Sequence, residues 1–402
     1  MIGERSPLAR FMALARNEIG LVLSIVVVIA LTAIIDTRHN YWHQPRASAI
    51  DVLHQTALLG IFTLGSAVVI ISGGIDLSPG SVIAFSGTIC ASIMLLLAPS
   101  QMNTAQPVGP LVIGLAIAGT LLVGLLIGTL HAWLITVIGL PPFVATLATL
   151  VGLRSLGRSV VEELTLYTLG NRRAQIDVFD ASFRYLATSK WIPALVFALL
   201  AVGTAILLAR TVTGRHLYAL GGNEQAARLS GIRTDRLKWF AYCFGSLTAS
   251  IAGIFYVADQ SVAAPQTLGR GYELNAIAAA VVGGCSLQGG IGNVSGTVLG
   301  VLFLRVVIDG VAKIIKTGAD VYEGMIVGIL VVVAVAISQL RQVGHVRTQF
   351  FPGALGVIAG LTLALLAALG GGLLFGKQPA LVAGIVALLL MGAVKFAERR
   401  RA

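Results

Sequence analysis

The chain has 402 residues, of which 56% are apolar and 11% charged; a soluble domain carries about 25% charged residues, so this composition cannot clothe a water-facing surface. The net charge of +11 would point to nucleic acid on a soluble protein, but loops of membrane proteins on the cytoplasmic side collect Lys and Arg, and no nucleic-acid partner is expected. Apolar stretches such as 19–35 and 111–130 do not alternate, which excludes β-barrel strands and leaves an all-α polytopic protein in a lipid bilayer.

The first apolar run follows Arg5, Arg10 and Arg16 without a small-residue cleavage site, and reads as a retained span rather than a signal peptide. Runs long enough for a bilayer core of about 30 Å recur near 19–35, 52–72, 80–98, 110–136, 143–161, 191–209, 239–257, 274–289, 293–313 and 321–339, with two more near 354–375 and 379–396. These ten core helices and a C-terminal pair divide the chain into a transmembrane core, 1–340, and an extension, 341–402. Twelve crossings place the N-terminal arginines, the loop 210–238, Arg341 with Arg347, and the C-terminal Lys395 and Arg399 to Arg401 on one side. By the excess of Lys and Arg this side is the cytoplasm, with both termini in it. Residues 162–190 then fall outside although they contain Arg172, Arg173, Arg184 and Lys190; Trp191 and Tyr185 mark an interface there. Cys90, Cys243 and Cys285 lie in apolar surroundings and promise neither a disulfide framework nor a metal site.

Function has to come from the interruptions. Ser72 to Gly80, SGGIDLSPG, is weak as a helix, and unwound backbone at membrane depth is tolerated only when buried in protein or lining a wet cavity. Asp76 and Ser78 are therefore candidates for a translocation path. Asp76 before Ser-Pro-Gly also fits a helix cap, which is the preferred role for that residue. Ala280 to Gly296, AVVGGCSLQGGIGNVSG, breaks a second run, and its glycines suit close helix packing. Its Gln288 and Asn293 suit a polar substrate or helix-to-helix hydrogen bonds equally. Gly73, Gly74, Leu77 and Gly80 recur as Gly283, Gly284, Leu287 and Gly290, each 210 residues on, as in transporters built from repeats. Glu273 and Asn275 read as helix-start residues. The polar segment 210–233 predicts a short helix capped by Asn223, starting at Glu224 and ended by Gly231, with Gly221-Gly222 as its joint. On a thin cytoplasmic face this suits a docking element and a solvated connecting loop equally.

No catalytic or metal-binding constellation appears, and no cofactor is expected. Gly371 to Lys377 fits GxxxxGK, but Gln378 follows instead of Ser or Thr and no strand precedes it, so it is not a nucleotide site.

Taken together, GGIDLSPGS, LPPFVATLATL from Leu140, GRHLYALGGNEQAARLSGI from Gly214 and GYELNAIAAAVVGGCSLQGGIGNVSGTVLG from Gly271 resemble the ribose-type permeases of bacterial ABC importers for monosaccharides, over roughly residues 50 to 340. The resemblance implies a multi-pass protein of the bacterial inner membrane that surrounds a sugar path with a second permease copy. A periplasmic or extracellular sugar-binding protein delivers the sugar, and a cytoplasmic ATPase drives transport. It assigns Gly222, Asn223, Glu224, Ala227 and Gly231 to ATPase coupling. Pro79, Cys285 and Ile291 to Ser295 depart from the family's usual residues, and the last 50 residues lie beyond the resemblance. The competing class is an ion-coupled carrier or channel, which needs several ionisable residues within spans; Asp76, Asp309 and Lys313 are the few candidates, and the last two form an i, i+4 pair.

Overall fold

The computed structural model of the chain describes residues 7–36, 40–314, 324–330, 360–368 and 384–393, with single positions at 332, 358 and 382. Eight described helices are long and apolar enough to cross a membrane. They are α1 (Pro7–Ile35), α3 (Pro45–Ile71), α4 (Pro79–Leu97), α6 (Pro110–Thr136), α7 (Pro142–Leu169), α9 (Trp191–Arg210), α12 (Thr234–Gln260) and α14 (Val294–Ile314). Shorter helices lie between them: α2 (Asn40–His43), α5 (Pro99–Thr104), α8 (Ala181–Thr188), α10 (Val212–Gly222), α11 (Glu224–Leu229) and α13 (Tyr272–Val282). Five of the long helices start on a proline, Pro7, Pro45, Pro79, Pro110 and Pro142, where a missing N–H costs nothing and the fixed φ already suits the helix. The protein is thus an all-α, multi-pass membrane protein.

One expected span is corrected. The run 274–289 yields only α13, 11 residues long, which rises about 16 Å, half the bilayer core. Its apolar character persists to Leu287, but Gly283 and Gly284 stop the helix. The expected span 143–161 is longer than its apolar run, because Glu162 and Glu163 continue the helix until Gly170 takes φ 74°. Of the expected spans 321–339, 354–375 and 379–396 only the parts 324–330, 360–368 and 384–393, with the single positions above, are described, and the basic segments after 340 and the GxxxxGK match lie outside the described residues.

Burial sorts the helices into a centre and a ring. The apolar windows of α3, α4 and α12 are 94%, 78% and 72% buried, against 17% for α1 and 22% for α9. The sequence reason is small residues. A side chain on Gly65 of α3 would overlap Thr248 of α12, and a Cβ on Gly87 of α4 would lie 3.0 Å from the Gly253 carbonyl oxygen. In lipid, apolar burial does not drive helices together, and such backbone-close packing takes its place. The outer helices carry Leu, Ile and Val outward, Leu111 (75% exposed) among them.

The two ends of the bundle differ. At one end lie α10 and α11. At the other, β1 (Ile176–Asp177) pairs antiparallel with β2 (Val262–Ala263), which ties the 170–190 segment to the chain leaving α12. Asp180 caps α8 by accepting from the Phe183 N–H at 2.7 Å. Trp42, Tyr167, Tyr185 and Trp191 are exposed at this end, the amphipathic rings expected at a headgroup level. Residues 162–190 therefore lie at the end opposite the basic loop.

The chain divides into two compact units, 1–338 and 339–402. Within the second, a Cβ on Gly384 would lie 2.9 Å from that of Ala368 and one on Gly360 3.9 Å from Met391 Sδ, so the segments 360–368 and 384–393 run antiparallel in contact.

Candidate functional site

The first break begins where α3 ends. Gly73 has φ 85°; its N–H donates to the Ile70 carbonyl at 2.9 Å and the Gly74 N–H to the Val69 carbonyl at 3.0 Å. This is a Schellman end, which needs a residue of positive φ at its turn. The chain then runs extended to α4. Asp76 is 4% exposed and does not cap α4. Its Oδ1 accepts from the Ser78 N–H at 2.7 Å and the Ser78 hydroxyl at 2.6 Å, an Asx turn that holds the extended segment in place. Leu77 N–H donates to Thr146 Oγ1 of α7 at 3.1 Å.

Next to Asp76 is a buried polar cell that the sequence reading missed. His131 Nε2 of α6 lies 2.7 Å from Thr149 Oγ1. That hydroxyl is also within donating distance of the Thr146 carbonyl, at 3.0 Å. His131 Nδ1 and the Tyr242 hydroxyl are both buried without a hydrogen-bond partner among the described residues. A lone histidine in an apolar run and a tyrosine 111 residues further on gave no local signal that they share a cell.

The second break repeats the first in backbone form. Gly284 has φ 99°; its N–H donates to the Val281 carbonyl and the Cys285 N–H to the Ala280 carbonyl, each at 2.9 Å. Gly73 thus corresponds to Gly284, an offset of 211 (284 − 73), one residue from the sequence match. The reason is that only the turn residue must tolerate positive φ, whereas in sequence any glycine pair aligns equally well. Gln288 is exposed. Asn293 caps α14 by accepting from the Gly296 N–H at 2.7 Å. No hydrogen bond joins either residue to Asp76 or Ser78 among the described residues, so the four path candidates form two groups.

Both breaks end on the same residues of the basic loop. A Cβ on Gly221 would overlap the Ile71 carbonyl oxygen and lie 2.5 Å from the Gly290 nitrogen; one on Gly289 would lie 2.7 Å from Gly73 Cα and 2.9 Å from Gly221 Cα. Gly290 N–H donates to the Ile71 carbonyl at 2.9 Å, and Tyr218 Oη donates to the Gly292 carbonyl at 2.8 Å. Burial holds the Tyr218 phenol above its ordinary value, so it remains a donor throughout the physiological range.

From this junction the loop turns into α11. Asn223 caps it by accepting from the Ala226 N–H at 2.9 Å, Ala227 is buried, and Gly231 at φ 82° ends it. Glu224 pairs with Lys238 of α12 at 2.7 Å, and Arg228 with Asp235 at 3.3 Å. The expected coupling residues Gly222, Asn223, Glu224, Ala227 and Gly231 are therefore together, and most of them shape or anchor the helix. What α11 offers outward is Leu229, 91% exposed. Beside it is a groove lined by His216, Arg233, Arg236 and Leu237. Leu229 was missed because a leucine in a short helix reads as its inward face; the surprise is that Ala227 takes that role.

Ionisable groups elsewhere in the spans are partnered. Lys313 Nζ is 2.5 Å from Asp309, which also accepts from Tyr41 Oη at 2.6 Å. His54 is 2.9 Å from Asp259, and Arg154 donates to the Leu268 and Gly269 carbonyls at 2.9 and 3.0 Å. Among the described residues no group of three His, Cys, Asp or Glu could hold a metal ion.

Residues 48–335, which hold both breaks and the loop, match the family model described as "Branched-chain amino acid transport system / permease component". The chain belongs to this permease family. The permease is 34% identical over 322 residues to the ribose import permease protein RbsC of Escherichia coli strain K12, covering 79% of this chain and 94% of that one. It is 32% identical over 296 residues to the Bacillus subtilis strain 168 protein of the same name, covering 73% and 84%. It is also 28% identical over 317 residues to the xylose transport system permease protein XylH of Escherichia coli strain K12, covering 65% and 77%. No solved structure matches the permease.

Proposed function

We propose that this chain is the membrane-spanning subunit of an ATP-binding-cassette importer for a monosaccharide or a similar small polyol. The observation that carries this reading is the meeting of both helix breaks with one basic loop at Gly221, beneath an outward-facing Leu229. The names of the relatives, a ribose import permease and a xylose transport system permease, support the solute class. A separate ATPase docks on the basic face, with Leu229 filling an apolar pocket and Arg233 and Arg236 meeting acidic side chains. This face is cytoplasmic by its excess of Lys and Arg, which puts the described N-terminal helix start on the same side. A sugar-binding protein approaches the opposite, aromatic-ringed end. A second permease copy completes the path, and residues 1–340 are the transport core, with 341–402 accessory to it.

In the cycle, closure of the ATPase pair displaces α11, and the displacement reaches the two breaks through the Gly221 junction. Access then switches between the two ends of the bundle. The ion-coupled alternative is disfavoured by the partnering of Asp309, Lys313, His54 and Asp259 within the protein. The test is uptake of labelled D-ribose and D-xylose by the permease reconstituted with its ATPase and binding protein. ATP-dependent uptake of one of them is expected; ATP-independent uptake that follows a sodium or proton gradient would overturn the reading.

A further inference from the structure

Three chain segments far apart in sequence bring their glycine backbones into direct contact at the base of α3. Gly73 follows the Schellman end of α3, Gly289 and Gly290 belong to the break after α13, and Gly221 and Gly222 close α10. Three of them lack room for a side chain, Gly289 toward Gly73 and Gly221, Gly290 toward Gly222 at 2.8 Å, and Gly221 toward Ile71; a Cβ on Gly73 would lie 3.3 Å from Gly221 Cα, and Gly222 itself is open. Two hydrogen bonds fasten the group. Gly290 N–H reaches the Ile71 carbonyl, a group that the end of α3 leaves open, and Tyr218 Oη reaches the Gly292 carbonyl. Tyr218 and Gly221 are on the same helix, α10, three residues apart, so they lie on one face of it.

We infer that this glycine clasp is the positioning device for coupling: α10 holds both helix breaks at one point, so that a single displacement of the loop moves the two halves of the path together. Tyr218 is its one side-chain fastener. The physical reason is stiffness. Glycine backbones in direct contact leave no flexible side chains between them to absorb a displacement, and close-packed interiors transmit strain. A loop that touched only one break would leave the other half free to relax and would open the path unevenly. The Schellman ends on α3 and α13 have the same form, which gives the clasp two matched edges to grip. This inference rests on the proposed role of the basic loop as the ATPase-docking element, but not on the identity of the sugar.

The test uses the full importer in proteoliposomes with D-ribose as the probe, comparing the wild type with Tyr218→Phe. The ring is kept and only the donor to Gly292 is lost. The expected result is a fall of about three- to ten-fold in ribose moved per ATP hydrolysed, the factor a typical hydrogen bond represents, with ATP hydrolysis and Tm unchanged. Hydrogen exchange supplies a second reading that needs no sugar. On adding ATP and vanadate to the wild-type complex, peptides covering 70–78 and 283–293 change protection together. In Tyr218→Phe the 283–293 response is lost and the 70–78 response stays. An unchanged ribose-to-ATP ratio in the variant, or a wild-type response confined to one break, would overturn the clasp. If the wild type moves no ribose while both breaks respond to ATP, the assignment of solute fails and the clasp stands.

Discussion

Glu224 is the most informative residue to reverse. Its carboxylate lies 2.7 Å from Lys238 Nζ and 3.9 Å from Arg228, with side-chain exposures of 40% for Glu224 and 22% for Lys238. Glu224→Lys replaces two attractions by two repulsions. For exposed pairs each attraction is worth about 0.2–1 kcal/mol, and like charges cost a similar amount, so the total penalty is about 1–4 kcal/mol, local to α11 and its contact with α12. A domain is stable by about 5–15 kcal/mol, so the protein still inserts and folds. The expected outcome is loss of most ATP-driven uptake, with ATPase association reduced in a pull-down from detergent. The double exchange Glu224→Lys with Lys238→Glu separates the two causes, because it rebuilds the internal ion pair while leaving the outward charge pattern reversed. If docking matters, the double exchange stays defective. Full recovery of uptake in it would refute the docking argument and assign the defect to the internal pair alone.

Leu229→Asp removes the 91%-exposed apolar contact without touching the core; ATPase association should fall at least ten-fold, with Tm unchanged, measured by co-purification and thermal denaturation. Gly65→Leu forces a side chain between α3 and α12 where Thr248 and Gly245 leave no space. Overpacking of this kind costs about 1–3 kcal/mol, read as a lower Tm and reduced yield in the membrane. Tyr242→Phe deletes a buried hydroxyl that has no hydrogen-bond partner among the described residues. Stability should stay within about 1 kcal/mol of the wild type or rise, because no bond is lost; a large fall in Tm would reveal a bound polar group in the cell beside Asp76.

The resemblance and the local chemistry of the sequence agree well with the structure in some places and not in others. The cap on Asn223, the end at Gly231 and the break at Gly73 follow from residue type, because caps and positive-φ turns are satisfied within a few residues. Asn293 proved a cap for the same reason, although Gly296 rather than a substrate takes its oxygen. The run 274–289 failed as a span because apolar content measures only affinity for lipid, whereas Gly283 and Gly284 decide where a helix stops. His131 and Tyr242 were invisible because their shared cell depends on how α6 crosses α12.

By itself the sequence determined that the chain lives in lipid, that a short helix opens after Asn223, and which glycines interrupt its apolar runs. Those are properties of length, hydropathy and nearest neighbours. Only the tertiary structure decided that Gly73, Gly221, Gly289 and Gly290 meet, that the two matching turns stand 211 residues apart (284 − 73), and that Leu229 faces out while Ala227 faces in. A glycine carries no side chain to announce its partner, so its contacts are fixed by the approach of whole helices.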